Sequence, residues 1–150
     1  MIALPPPEEM ARIVSTVTHT MLGITFEAVR SSAPTVALTS RTVMLPIPGK
    51  RPVTIGLSSD ELGSLRLGSA MFSVRRKEVD AAMADDSLLE LLNMTAGLIR
   101  TVLSLDQALG LPKVVPSNDP RVVAAHAQTS LTVLRAKDVG LMLWILQGTL

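Results

Sequence analysis

The sequence predicts an α+β domain: an antiparallel β-sheet with about three helices packed on one face. Two observations carry this. The elements read in the order helix, strands, two helices, strands, and the strands are joined by turns short enough to pair neighbours antiparallel. The closing segment, Val139–Gln147, is apolar on both faces, as a strand in the middle of a covered sheet must be. At 150 residues the chain reads as one domain, 1–150, long enough to bury a core.

Residues 1–7 end in three prolines and are expected to be extended. Glu8-Glu9 open a helix, because carboxylates suit the positive end of a helix dipole. Met10, Ile13, Val14, Val17 and Met21 recur at helical spacing, and Gly23 stops the helix. Residues 24–30 alternate like a strand, and residues 35–45 form a second. Residues 46–52, with prolines that cannot donate to a ladder, read as a loop. Residues 53–57 and 62–68 are expected to form a hairpin around Ser58-Ser59-Asp60-Glu61. Ser73 is expected to cap a helix running to Ala84, and Asp85-Asp86 to break and restart it, with the continuation reaching Leu105. Lys113–Val115 is a short strand, Ser117-Asn-Asp-Pro120 a turn, residues 128–135 a strand, and Ala136-Lys-Asp138 a turn into the closing strand.

Composition excludes several functions. Net charge is +1, so nothing asks for nucleic acid or an anionic membrane. There is no cysteine, which removes disulfides, zinc thiolates and thiol nucleophiles. Only His19 and His126 could add imidazole, and no acidic cluster accompanies them in the sequence, so no metal site is expected. The phosphate-loop, dinucleotide and serine-hydrolase glycine motifs are missing. Gly49-Lys50 sits in a proline-bounded loop, and Arg75-Arg76-Lys77 reads as a solvated basic turn. The first residues lack the basic and apolar regions of a signal peptide, and no apolar run approaches the ~20 residues of a membrane helix. A cytoplasmic protein is expected. Hydrophobic residues make up 47% with only 2% aromatic, so Leu, Val, Ile, Met and Ala build the core. The excess apolar content points to a doubly covered sheet or a subunit interface.

One helix stands apart. On a wheel of about 100° per residue, Leu88, Leu91, Leu92, Thr95, Ala96, Ile99, Val102 and Leu103 share an apolar arc. Asp86, Glu90, Asn93, Gly97 and Arg100 fall opposite, within an arc of about 80°, in one line down the helix. Asp86 is expected to be an N-cap. Asn is a poor helix former, and its place in mid-helix asks for a reason. Gly97 costs about 1 kcal/mol relative to alanine. Either another molecule approaches the bare backbone there, or a neighbouring element of the same chain packs on it.

Asp86-x-x-x-Glu90-x-x-Asn93 resembles the D/S-x-x-x-E-x-x-N signature of the CheC/CheX/FliY family of chemotaxis phosphatases. The run Glu90-Leu-Leu-Asn93-Met-Thr-Ala-Gly97 is similar to the CheX version. Thr20-Met-Leu-Gly23 closing the first helix, Gly63-Ser-Leu-Arg-Leu67, and Leu109-Gly-Leu-Pro112 with Val114-Val115 are similar to other family segments. The resemblance implies a CheC/CheX-like fold and a phospho-aspartyl phosphatase whose substrate is the receiver domain of a CheY-type response regulator. Asn93 would orient the attacking water and Glu90 would pair with a receiver lysine. Asp86, Gly97 and Arg100 would belong to the docking face. No cofactor is implied in this chain, and Mg²⁺ would sit on the partner receiver. CheC-type members carry a second motif on the first helix; here Glu8-x-x-Ala11 and Glu9-x-x-Arg12 lack the amide, so one site per chain is implied. Apolar content and resemblance together lead us to expect a homodimer, by joining sheet edges. Two rival readings share the same surface: a non-catalytic CheX-like adaptor in chemotaxis or two-component signalling, and a structural homodimer whose polar stripe is incidental.

Overall fold

A computed structural model describes residues 3–29, 41–116, 118–122, 131–136 and 139–148. Helix α1 (Pro7–Leu22) starts with Pro7 in its first turn, where a missing N–H costs nothing, and Glu8 and Glu9 follow. Gly23 ends it at φ 68°, its N–H donating to the His19 carbonyl. The strands are β1 (Glu27–Ala28), β2 (Arg41–Ile47), β3 (Val53–Ser59), β4 (Lys113–Val115), β5 (Leu131–Ala136) and β6 (Val139–Gln147). They form one six-stranded sheet in the order β1-β5-β6-β3-β2-β4, with every neighbouring pair antiparallel. As the sequence predicts, β6 is interior and buried at every position but Gln147.

The period of two divides the sheet into faces. Val43, Leu45, Val53, Ile55, Leu57, Leu141 and Leu143 share a core with α1, α2 (Glu61–Phe72) and α3 (Ala81–Val102), so the helices cover one face as expected. Leu88, Leu92 and Ile99 of α3 are fully enclosed there; each such side chain stabilises the fold by about 1.5–3 kcal/mol. The other face carries a smaller cluster of Met44, Val115, Val122, Trp144 and Leu146. Gly56 lies opposite Trp144, and a Cβ on it would fall 1.9 Å from the indole. The sole tryptophan occupies the space that glycine leaves.

Several expected boundaries differ. The hairpin is β2–β3, turning at 48–52, and residues 62–68 lie in helix α2 instead of a strand. The Asp60 carboxylate caps α2 by accepting from the Gly63 N–H at 2.6 Å. The buried face of α2 is Gly63, Ser64, Leu67 and Gly68. Small residues let it close on Gly140 and Val79, and they hide the helical period from a hydrophobicity reading. Pro46 is in β2, not a loop. Its carbonyl accepts from the Gly110 N–H at 2.7 Å, on the side where the three-residue β4 has ended. The missing proline N–H faces that same side and breaks no ladder bond.

Ser73 does not start a helix. It ends α2 in the left-handed region at φ 55°, and a 3₁₀ turn (Arg76–Glu78) follows. Asp85-Asp86 do not break a helix either. α3 is continuous from Ala81, capped by the Asp80 carboxylate accepting from the Met83 N–H at 2.8 Å, and stops at Val102, short of Leu105. Asp86 is therefore not an N-cap but lies in the second turn. Of the expected strand 24–30, Glu27–Ala28 pair with β5, and the Val29 N–H donates to the Val133 carbonyl at 2.8 Å. Residues 30–40, 123–130 and 137–138, with His126, and Ser117 of the expected turn, lie outside the described residues.

Candidate functional site

α3 is 22 residues long, about 33 Å at 1.5 Å per residue. One side is sunk in the core and the other faces out. At the start, the Arg41 Nη1 of β2 donates to Asp85 Oδ1 at 2.5 Å, fixing the helix one residue before the polar stripe. At the far end, Leu103 N–H donates to the Ile99 carbonyl and Ser104 turns at φ 55°. Between these anchors Asp86, Glu90 and Asn93 are all exposed. The apolar arc read from the sequence is buried at every position except Val102, which is half exposed.

A Cβ on Gly97 would meet nothing within 4 Å. No described element of the chain packs on that glycine, which leaves bare backbone in line with Glu90 and Asn93. Arg100 behaves differently. Its guanidinium turns back, and Nη1 donates to the Gln107 carbonyl at 3.4 Å. It braces the following loop and does not project with the others.

That loop forms the opposite wall of the site. A groove of about 390 Å³ runs between Asp86, Leu89, Glu90 and Asn93 on α3 and Gly110, Leu111 and Pro112. The loop is pinned by the Gln107 amide, which donates to the Arg51 carbonyl at 2.9 Å and accepts from the Arg51 N–H at 3.0 Å. The Gly110–Pro46 bond adds a second anchor. Spacing on the helix found Asp86, Glu90 and Asn93. It could not find Gly110–Pro112, Arg41 or Gln107, whose places depend on partners far away in the sequence.

Among the described residues, no hydrogen bond or ion pair engages the side chains of Asp86, Glu90 or Asn93. No group of three or more His, Asp or Glu side chains that could hold a metal ion occurs among the described residues. Among the described residues, the carboxyl held far below its usual range is Asp119, lowered to about 2 by hydrogen bonds from Arg121, and it does not line the groove. On α1, Ala11 is buried and Arg12 is tied to Glu9, so that helix presents no carboxamide at either position. No helix among the described residues is long and apolar enough to cross a membrane.

Comparison with curated proteins gives no match. Solved structures share the fold. The CheX–CheY–BeF3–Mg²⁺ complex from Borrelia burgdorferi contains a chain matched with a TM-score of 0.74 at 16% identity, over 98% of this chain and 100% of that one. The chemotaxis protein CheX from Vibrio vulnificus matches with a TM-score of 0.68 at 13% identity, over 93% of this chain and 96% of that one. The FliM–SpeE complex from Helicobacter pylori contains a chain matched with a TM-score of 0.59 at 14% identity, over 92% and 81%. The family model for the chemotaxis phosphatase CheX matches residues 41–134, more than half of the chain and including the whole polar stripe of α3. The chain belongs to the CheX family of chemotaxis phosphatases.

Proposed function

We propose that this protein accelerates hydrolysis of the aspartyl phosphate on a CheY-type receiver domain. The observation that carries the proposal is the pairing of Glu90 and Asn93. They are neighbours on an anchored helix, exposed, free of partners among the described residues, and aligned with an open glycine. A Glu and an Asn that do nothing for the fold are available to a partner.

Aspartyl phosphate is already activated. Attack of water on phosphorus forms one P–O bond and breaks the acyl P–O bond, releasing inorganic phosphate and a carboxylate. That leaving group has a conjugate-acid pKa near 3.9 and needs no protonation, and both protons of the water end on phosphate. What the reaction lacks is a water held in line. The Asn93 carboxamide can accept from that water and donate to a phosphoryl oxygen, without titrating. Fixing one water in this way can be worth several kcal/mol through effective molarity. Glu90, one turn earlier, pairs with a lysine beside the phosphorylation site and sets the register. Mg²⁺ belongs to the receiver, and Asp86 and Gly97 lie on the docking face. The solved CheX–CheY–BeF3–Mg²⁺ assembly supports this choice of partner.

The test is the decay of acyl phosphate on purified CheY-type receivers from the same organism, with and without this protein. Catalytic acceleration is expected with at least one of them. Glu90→Lys, which turns attraction into repulsion, should raise the half-saturating receiver concentration about tenfold or more. Unchanged decay across every receiver overturns the proposal.

A further inference from the structure

Leu111 is 85% exposed, the most exposed large apolar side chain among the described residues. A single exposed leucine is ordinary on a protein surface. Its setting is not. Leu109 packs against the core, and Gly110 donates to the Pro46 carbonyl at 2.7 Å. A Cβ on Gly110 would lie 2.7 Å from that carbonyl oxygen, so the close approach depends on glycine. Pro112 restricts the backbone of Leu111 from the other side, and Lys113 enters β4 opposite Met44. The side chain is thus presented outward from a backbone fixed before and after it.

It also stands in a particular place. Leu111 lines the groove with Asp86, Glu90 and Asn93. On the far side of the polar stripe, Met94 and Leu98 of α3 are exposed as well, one helical turn apart. The stripe therefore has apolar side chains along both margins, and its own two carboxylates have no cation of this chain among the described residues. A complementary occupant carries a cationic side chain flanked by apolar surface.

We infer that Leu111 is the apolar anchor of partner docking: it seats in an apolar depression of the receiver next to the lysine that Glu90 engages. The inference rests on the proposed function for the identity of the partner, but concerns binding and not the chemical step. With the backbone around it already held, Leu111 gives up little main-chain freedom on binding, so more of its contacts are kept as affinity. It sets where the receiver sits, and Asn93 acts on what is placed there.

The test is binding of CheY-type receivers, loaded with beryllium trifluoride and Mg²⁺, to wild type, Leu111→Ala, Leu111→Asp and Asn93→Ala. Leu111→Ala should weaken binding about tenfold and Leu111→Asp further, while the thermal midpoint stays unchanged. Binding by Leu111→Ala equal to wild type overturns the anchor and leaves the phosphatase proposal, read from decay, untouched. Binding that depends on Leu111 without any accelerated decay would instead remove the catalytic proposal and keep the anchor. Should Leu111→Asp alter only self-association in light scattering and not receiver binding, the side chain serves a second copy of this chain, and the inference is overturned.

Discussion

If Gly97 lies on the docking face as proposed, stability and function pull in opposite directions there. A glycine inside a helix costs about 1 kcal/mol relative to alanine, and the space beyond its Cα is open. Gly97→Ala is expected to stabilise the fold by about 0.5–1 kcal/mol, seen as a higher midpoint in thermal or urea unfolding. Gly97→Phe keeps the helix but fills the space a partner would use, and should weaken receiver binding. A destabilised Gly97→Ala would show that something does pack there. Residues of this kind were legible in the sequence. Five polar or small positions spaced 4, 3, 4 and 3 apart on an otherwise apolar helix have one geometric solution. Leu111 was not legible in this way. Between a glycine and a proline it has no period to belong to. Its exposure is decided by the contact of Gly110 with Pro46, far away in the sequence.

Among the elements, α3 shows how an exposed stripe can be read from spacing on a helix whose start is misplaced. Asp80 and Asp85-Asp86 offer two acidic starts only a turn apart. Asp80 is the cap, while Asp85 is taken by Arg41. The wheel angles of Glu90 and Asn93 depend only on continuity through them, so the stripe is the same whichever residue starts the helix. Asp80→Ala should cost about 1 kcal/mol in unfolding free energy, and Asp80→Ser only a few tenths. Equal losses from both would mean that the charge of Asp80, and not its cap bond, matters. Helix α2 is hidden from a sequence reading for a different reason. Its inward face is Gly63, Ser64, Leu67 and Gly68, chosen for closeness and not for apolar area, while Leu62 faces solvent. Alternation of Leu with small residues then resembles a strand.

Across the whole molecule, the sheet acts as a platform between two unequal layers. The helical layer presents α3, and the opposite cluster locks β3 to β6 through Gly56 and Trp144. The apolar character of β6 on both faces made this platform readable in advance; the glycine–tryptophan fit, a matter of shape, was not. Gly56→Val should destabilise by about 2–3 kcal/mol or more, because the buried indole has nowhere to move. The fluorescence of the only tryptophan follows the transition directly. Combining Gly56→Val with Trp144→Leu should recover part of the loss, and strict additivity would place the clash elsewhere. A platform of this kind matters to the proposed mechanism, because catalysis by one carboxamide would be catalysis by position. The most direct measurement is therefore the decay of receiver acyl phosphate at a saturating concentration of Asn93→Ala. If Asn93 orients the water, this variant binds the beryllofluoride-loaded receiver as wild type does, yet decay slows by about a hundredfold or falls to the receiver's own rate. Decay at the wild-type rate in that saturated complex would contradict the account.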